Sequence, residues 1–129
     1  MQIFEQTIKV AANEIDSLNH VNNVVYVQWV QNIAELHWNK ESSEEQKTNY
    51  YWVMVEHLIR YKGAALINDQ IHLKTFIKES KGVKSIRIVE IYNAKSKKLL
   101  AISETQWCLI SRTTNKPVRI TPELESLFQ

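Results

Sequence analysis

Apolar and polar positions alternate in five stretches of the chain and switch to a helical period in one. Between residues 2 and 12, Ile3, Ile8 and Val10 are mixed with polar partners and no breaker intervenes, which predicts a strand. From Val21 the period changes. Gln28, Gln31, Asn32, Glu35 and Asn39 fall on one stripe at spacings of 3, 4 and 7, and nearly everything else as far as Trp38 is apolar. So narrow a polar stripe predicts a long helix buried around most of its girth. Residues 40–49, KESSEEQKTN, read as a polar connector with a short helical turn. Strand patterns follow over 50–62, 70–78, 84–93 and 99–112, with no long helix between them. In the first of these, Tyr51, Val53, Val55, His57, Ile59 and Tyr61 share one face, and Trp52 and Met54 on the other suit a further apolar contact. The ending TPELESLF predicts a short helix with Thr121 as its cap and Pro122 at its first position.

Consecutive strands without crossover helices pair antiparallel. The expected fold is therefore α+β, with an antiparallel sheet of about five strands wrapped around one long central helix. At 129 residues, the chain makes one domain spanning 1–129. Two Gly and two Pro favour long regular elements over disorder or a many-turned sandwich. A net charge of +2 is too small to imply nucleic acid. The lone Cys108 forms no internal disulfide, and the opening MQIFEQTIKV lacks the charged and apolar regions of a signal peptide. No apolar run reaches membrane length. A cytoplasmic protein without membrane insertion is expected.

The candidate chemistry lies at 16–26, DSLNHVNNVVY. A turn rich in Asp, Asn and Ser satisfies free N–H groups at a helix start, and it sets Asp16 beside the positive end of the helix dipole. Asp16 therefore reads either as a cap or as a reactive carboxylate. Asn22 reads as a cap or a brace for the loop. His57, on an apolar strand face, reads as a core histidine or a minor site candidate; His37 and His72 read as surface positions. No His, Cys or carboxylate group has metal-ligand spacing, and neither a Walker loop nor a dinucleotide fingerprint is present. No metal and no cofactor are expected.

The stretch D-S-L-N-H-V-N-N-V-V-Y resembles the motif of the hotdog-fold thioesterases of the 4-hydroxybenzoyl-CoA thioesterase type, and the related acyl-ACP thioesterases carry a similar one. RYKGAALIND at 60–69 is similar to that family's tight strand connection, with Asn68 where a Gly before the Asp is usual. NKPVRITPEL is similar to its last strand and closing segment. The resemblance implies a hotdog fold in which two protomers join their sheets edge to edge, as dimers or dimers of dimers, with sites at the interface.

It also implies hydrolysis of acyl-CoA thioesters, coenzyme A being part of the substrate. Asp16 would act as general base or nucleophile and the Asn23 N–H as oxyanion donor. His20 matches a catalytic position of the acyl-ACP branch or else orders the loop, and Leu18 stands where that branch has an Asn. Tyr26 lines the acyl pocket or packs in the core. Lys78, Lys81, Lys84 and Arg87 gather around KESKGVKSIR, where they hold coenzyme A phosphates or form a solvated basic turn. Two alternatives stand beside this reading: an acyl-ACP thioesterase, and a non-catalytic acyl-thioester binder. The binder has no need of a carboxylate against a carbonyl carbon.

Overall fold

Five strands form a single antiparallel sheet, in the order Phe4–Lys9, Gln70–Lys81, Lys84–Asn93, Leu99–Ser111, Tyr50–Tyr61. The computed structural model describes residues 1–129. The strands are β1 (Phe4–Lys9), β2 (Tyr50–Tyr61), β3 (Gln70–Lys81), β4 (Lys84–Asn93) and β5 (Leu99–Ser111). A long helix, α1 (Asn23–Glu41), and a short one, α2 (Glu44–Asn49), lie between β1 and β2, and α3 (Pro122–Ser126) closes the chain. The first strand is shorter than its pattern predicts, because the chain leaves the sheet at Val10 and makes a 3-10 turn over Ala12–Glu14. Helix starts follow the expected chemistry: Asn22 Oδ1 accepts Val24 N–H, Ser43 and Gln46 form a capping box on α2, and Thr121 Oγ1 accepts Leu124 N–H.

One face of α1 packs on the sheet. Tyr26, Trp29, Val30 and Ile33 meet Ile71 and Leu73 of β3, Val89 and Ile91 of β4, and Leu100 and Ala101 of β5 in one apolar core. The expected burial around most of the helix is not found in the protomer. Val24 is 71% exposed and Leu36 is also exposed, so the outer face carries apolar side chains as well as the polar stripe.

The strand β2 departs from simple alternation. Met54 pairs with Trp107 and Glu56 with Gln106, so Val55 is an extra residue, a β-bulge. The bulge exchanges the two faces of the strand. Before it, Trp52 points inward and meets Trp38 edge-on at 5.9 Å; after it, Ile59 packs against the core. Val53, Val55 and Leu58 are exposed on the far side and at the bulge. Trp52 and Met54 are therefore not the outward contact face that the alternation predicts. That apolar surface belongs to Val53, Val55 and Leu58, on a strand whose only sheet partner is β5.

Candidate active site

The loop that carries Asp16 is closed by the backbone at both ends. Ile15 and Val21 bridge antiparallel, Asp16 N–H donates to His20 O at 2.7 Å, and Asn22 N–H donates to Glu14 O at 2.9 Å. Asn19 takes a left-handed conformation, φ 62°, as Asn does more readily than other side-chain-bearing residues. Asp16 Oδ1 accepts the N–H of Leu18 at 2.9 Å and of His20 at 3.1 Å, an Asx-type turn. Its other carboxylate oxygen makes no hydrogen bond in the chain, and the residue is exposed.

Asp16 is not the cap of α1. That part belongs to Asn22, whose side chain takes Val24 N–H at 3.1 Å and whose carbonyl takes Val25 N–H at 2.9 Å. The Asn23 N–H, one of the orphan donors of a helix's first turn, is left without a partner. No acidic side chain occupies that first turn, so its positive potential is uncancelled by the helix itself. A free carboxylate oxygen and a free helix N-terminal N–H thus flank one short loop. Such a pair can work on a carbonyl carbon and its oxygen respectively.

Glu14, which sequence reasoning missed, braces this arrangement. Its Oε1 accepts Ala11 N–H at 2.7 Å and its Oε2 accepts the indole N–H of Trp29 at 3.2 Å. Ala11 has no side chain able to cap, so the sequence carried no capping-box signal for Glu14. The His20 side chain is exposed at the loop end; its backbone accepts from and donates to Asp16. Tyr26 is buried in the core, where its ring meets Trp29 and Tyr61 edge-on and its hydroxyl accepts Ala65 N–H at 2.9 Å. Burial raises the pKa of that hydroxyl. Leu18 at 70% exposed, with Val24, Tyr61 and Leu66, leaves an apolar rim about the loop.

The remaining candidates lie elsewhere. His57 sits on β2 with Nε2 2.8 Å from Ser103 Oγ, and burial lowers its pKa. Lys84 is exposed on the β3–β4 hairpin, whereas Arg87 is not part of a basic surface there. An odd spacing along a strand puts two side chains on opposite faces, so Arg87 turns inward with Ser85, Val89 and Ile91. Lys78 pairs with Glu104 at 3.3 Å. His37 is not a surface residue either. It is fully buried, stacked on Phe4 at 4.9 Å and set between Arg87 and Gln2. No group of three His, Cys, Asp or Glu side chains is placed to hold a metal ion, and no helix is long and apolar enough to cross a membrane.

A long helix laid across a five-stranded antiparallel sheet in this strand order is the hotdog fold. The Thioesterase-like superfamily model matches residues 10–128, and the chain belongs to that family. Among solved structures it is similar to YbaW, a probable thioesterase from Escherichia coli, with 22% identity and a TM-score of 0.82 over 95% of this chain and 94% of that one. It is also similar to Slr0204, a 1,4-dihydroxy-2-naphthoyl-CoA thioesterase from Synechocystis, with 18% identity and a TM-score of 0.83 over 97% and 94% of the two chains. A third neighbour is the hypothetical protein SAV2348 from Staphylococcus aureus in complex with CoA, with 16% identity and a TM-score of 0.86 over 98% and 81%. No curated protein matches the chain.

Proposed function

We propose that the protein hydrolyses acyl-CoA thioesters to the free acid and coenzyme A. The observation that carries this is the division of labour between Asn22 and Asp16: the first caps α1, which leaves the second with an uncommitted oxygen on the loop that leads into the unpartnered Asn23 N–H. In the reaction the Asp16 carboxylate takes a proton from water as the water attacks the thioester carbon, or attacks that carbon itself to give an anhydride that water then opens. Either way the carbonyl oxygen gains negative charge, which the Asn23 N–H and the dipole of α1 stabilise. The thiolate of coenzyme A leaves and is protonated. His20 stands at the loop end as an auxiliary group. The family membership and a neighbour solved in complex with CoA support a CoA ester as substrate.

The site is open in one protomer, and we assign its missing wall to a second copy. The exposed Val53, Val55 and Leu58 on the edge strand β2, together with the apolar rim at Leu18 and Leu66, support a dimer in which two β2 edges pair. The single buried Cys108 suits a reducing cytoplasm.

Thiol release from acyl-CoAs of short, long and aromatic acyl groups, with acyl-ACP in parallel, tests the proposal. Wild type turns over CoA esters and Asp16→Asn loses about 10²-fold or more. Turnover of acyl-ACP alone would replace the carrier. Equal rates in both proteins would remove Asp16 from the chemistry, and binding without turnover would make the protein a thioester binder.

A further inference from the structure

A cavity of about 390 Å³ lies under the C-terminal half of α1, walled by Trp38, Tyr51, Trp52, Trp107 and Phe128. It is not the Asp16 loop. Its α1 residues, Gln31 to Asn39, begin eight residues after Asn23, a distance of about 12 Å along the axis, and extend to about 24 Å.

The floor holds Arg87, 5% exposed and without a carboxylate partner. Its Nη1 donates to His37 Nδ1 at 2.9 Å and to Thr75 Oγ1 at 3.0 Å. Its other donors, on Nε and Nη2, make no hydrogen bond in the chain, yet no fully buried side-chain nitrogen lacks a partner. Those donors therefore open onto the cavity that Arg87 lines. Burial lowers its pKa to about 10, which leaves it charged at neutral pH. His37, with a pKa lowered to about 4 by burial and by Arg87, is neutral and supplies no negative charge. Lys47 and Arg112 add positive charge to the lining, against one carboxylate, Glu35.

A buried, half-satisfied guanidinium costs free energy unless an anion or water completes it. The walls select among anions: three indoles and a phenyl ring favour an apolar body over a bare inorganic ion, and the volume falls within the range of small-molecule sites. We propose that this cavity binds an organic carboxylate with a compact apolar body, the Arg87 fork holding the carboxylate and the aromatic walls holding the body. The inference does not depend on the thioester reaction.

Three of the four Trp residues line the cavity, so intrinsic fluorescence reports its occupancy. The test is titration of the full chain with benzoate, phenylacetate and octanoate, with inorganic phosphate as control, confirmed by calorimetry. Wild type binds at least one carboxylate and not phosphate. Arg87→Lys, which keeps charge and loses the fork, weakens that binding by about 10- to 100-fold. Ala34→Leu, which leaves Arg87 in place and fills the cavity, also weakens it, and thermal melts establish that both variants are folded. Saturating coenzyme A does not displace the carboxylate. Absence of carboxylate binding, equal binding by folded variants, equal binding of phosphate, or displacement by coenzyme A would each overturn the proposal.

Discussion

The Tyr26 hydroxyl accepts the backbone N–H of Ala65 at 2.9 Å, and both residues are buried. This bond ties the first turns of α1 to the connection between β2 and β3, while Val21 N–H donates to Ala65 O at 2.9 Å from the Asp16 loop. The loop, the helix and the connection are thereby held as one unit. Tyr26→Phe keeps the ring among Trp29 and Tyr61 and orphans the Ala65 N–H. Stability should fall by about 1–3 kcal/mol in urea unfolding, the cost of an unsatisfied buried donor. The acyl preference of hydrolysis should not change, because the ring packs in the core; a shifted preference would make Tyr26 a pocket residue.

Asp16 and Asn22 separate chemistry from capping. Asn22→Ala removes the acceptor of Val24 N–H and should cost about 0.5–2 kcal/mol in stability. Asp16→Asn keeps an oxygen to accept the Leu18 and His20 N–H groups, so its melting should stay near wild type while turnover collapses. Parallel melts and rates check this. A large stability loss in Asp16→Asn with activity preserved would return Asp16 to a purely structural role.

The connection at 66–69 shows what was readable in the residues. Asn68 stands where the resembling family has Gly, and its φ of 67° explains both choices: the turn needs a left-handed residue, and Asn tolerates it. Asn68→Val should therefore cost about 1–2 kcal/mol by thermal or chemical unfolding, whereas Asn68→Gly should be close to neutral.

The five strands, the long helix, its Asn22 cap and the closing Thr121–Pro122 start were legible, because each follows from local period or cap chemistry, whereas the last strand expected within NKPVRITPEL is only a bridge between Pro117 and Ile110. The buried polar pair, His37 and Arg87, was misread as surface although spacing marks both as inward. His37 falls 3, 4 and 7 residues after Ala34, Ile33 and Val30, on the buried face, and Arg87 has the inward parity of Ser85 and Val89. Charge hid what spacing disclosed. The faces of β2 were not legible, since one extra residue at Val55 inverts them and leaves no mark in composition.

That inversion bears on assembly. With Val53 and Leu58 outward on an edge strand, Val53→Lys with Leu58→Glu should shift a dimer toward monomer in sedimentation as the chain is diluted, without loss of the protomer fold by circular dichroism. Turnover should fall with the dimer population. A double variant that stays dimeric would place the interface elsewhere.

His37 makes stability depend on pH. With Nε2 2.6 Å from Gln2 Oε1 and Nδ1 accepting from Arg87, the ring is held as the neutral tautomer protonated on Nε2, and a second proton would displace the Arg87 bond. Its folded pKa is about 4, below the value of about 6.5 in an unfolded chain. The sign follows. Between these values the unfolded state binds the extra proton and the folded state does not, so stability falls as pH drops from about 6.5 to about 4. The full effect is on the order of 3 kcal/mol. His37→Gln, which keeps a donor and an acceptor but does not titrate, should flatten this part of the profile in urea melts taken from pH 7 to pH 4. An unchanged slope in that variant would assign the acid sensitivity to the carboxylates instead.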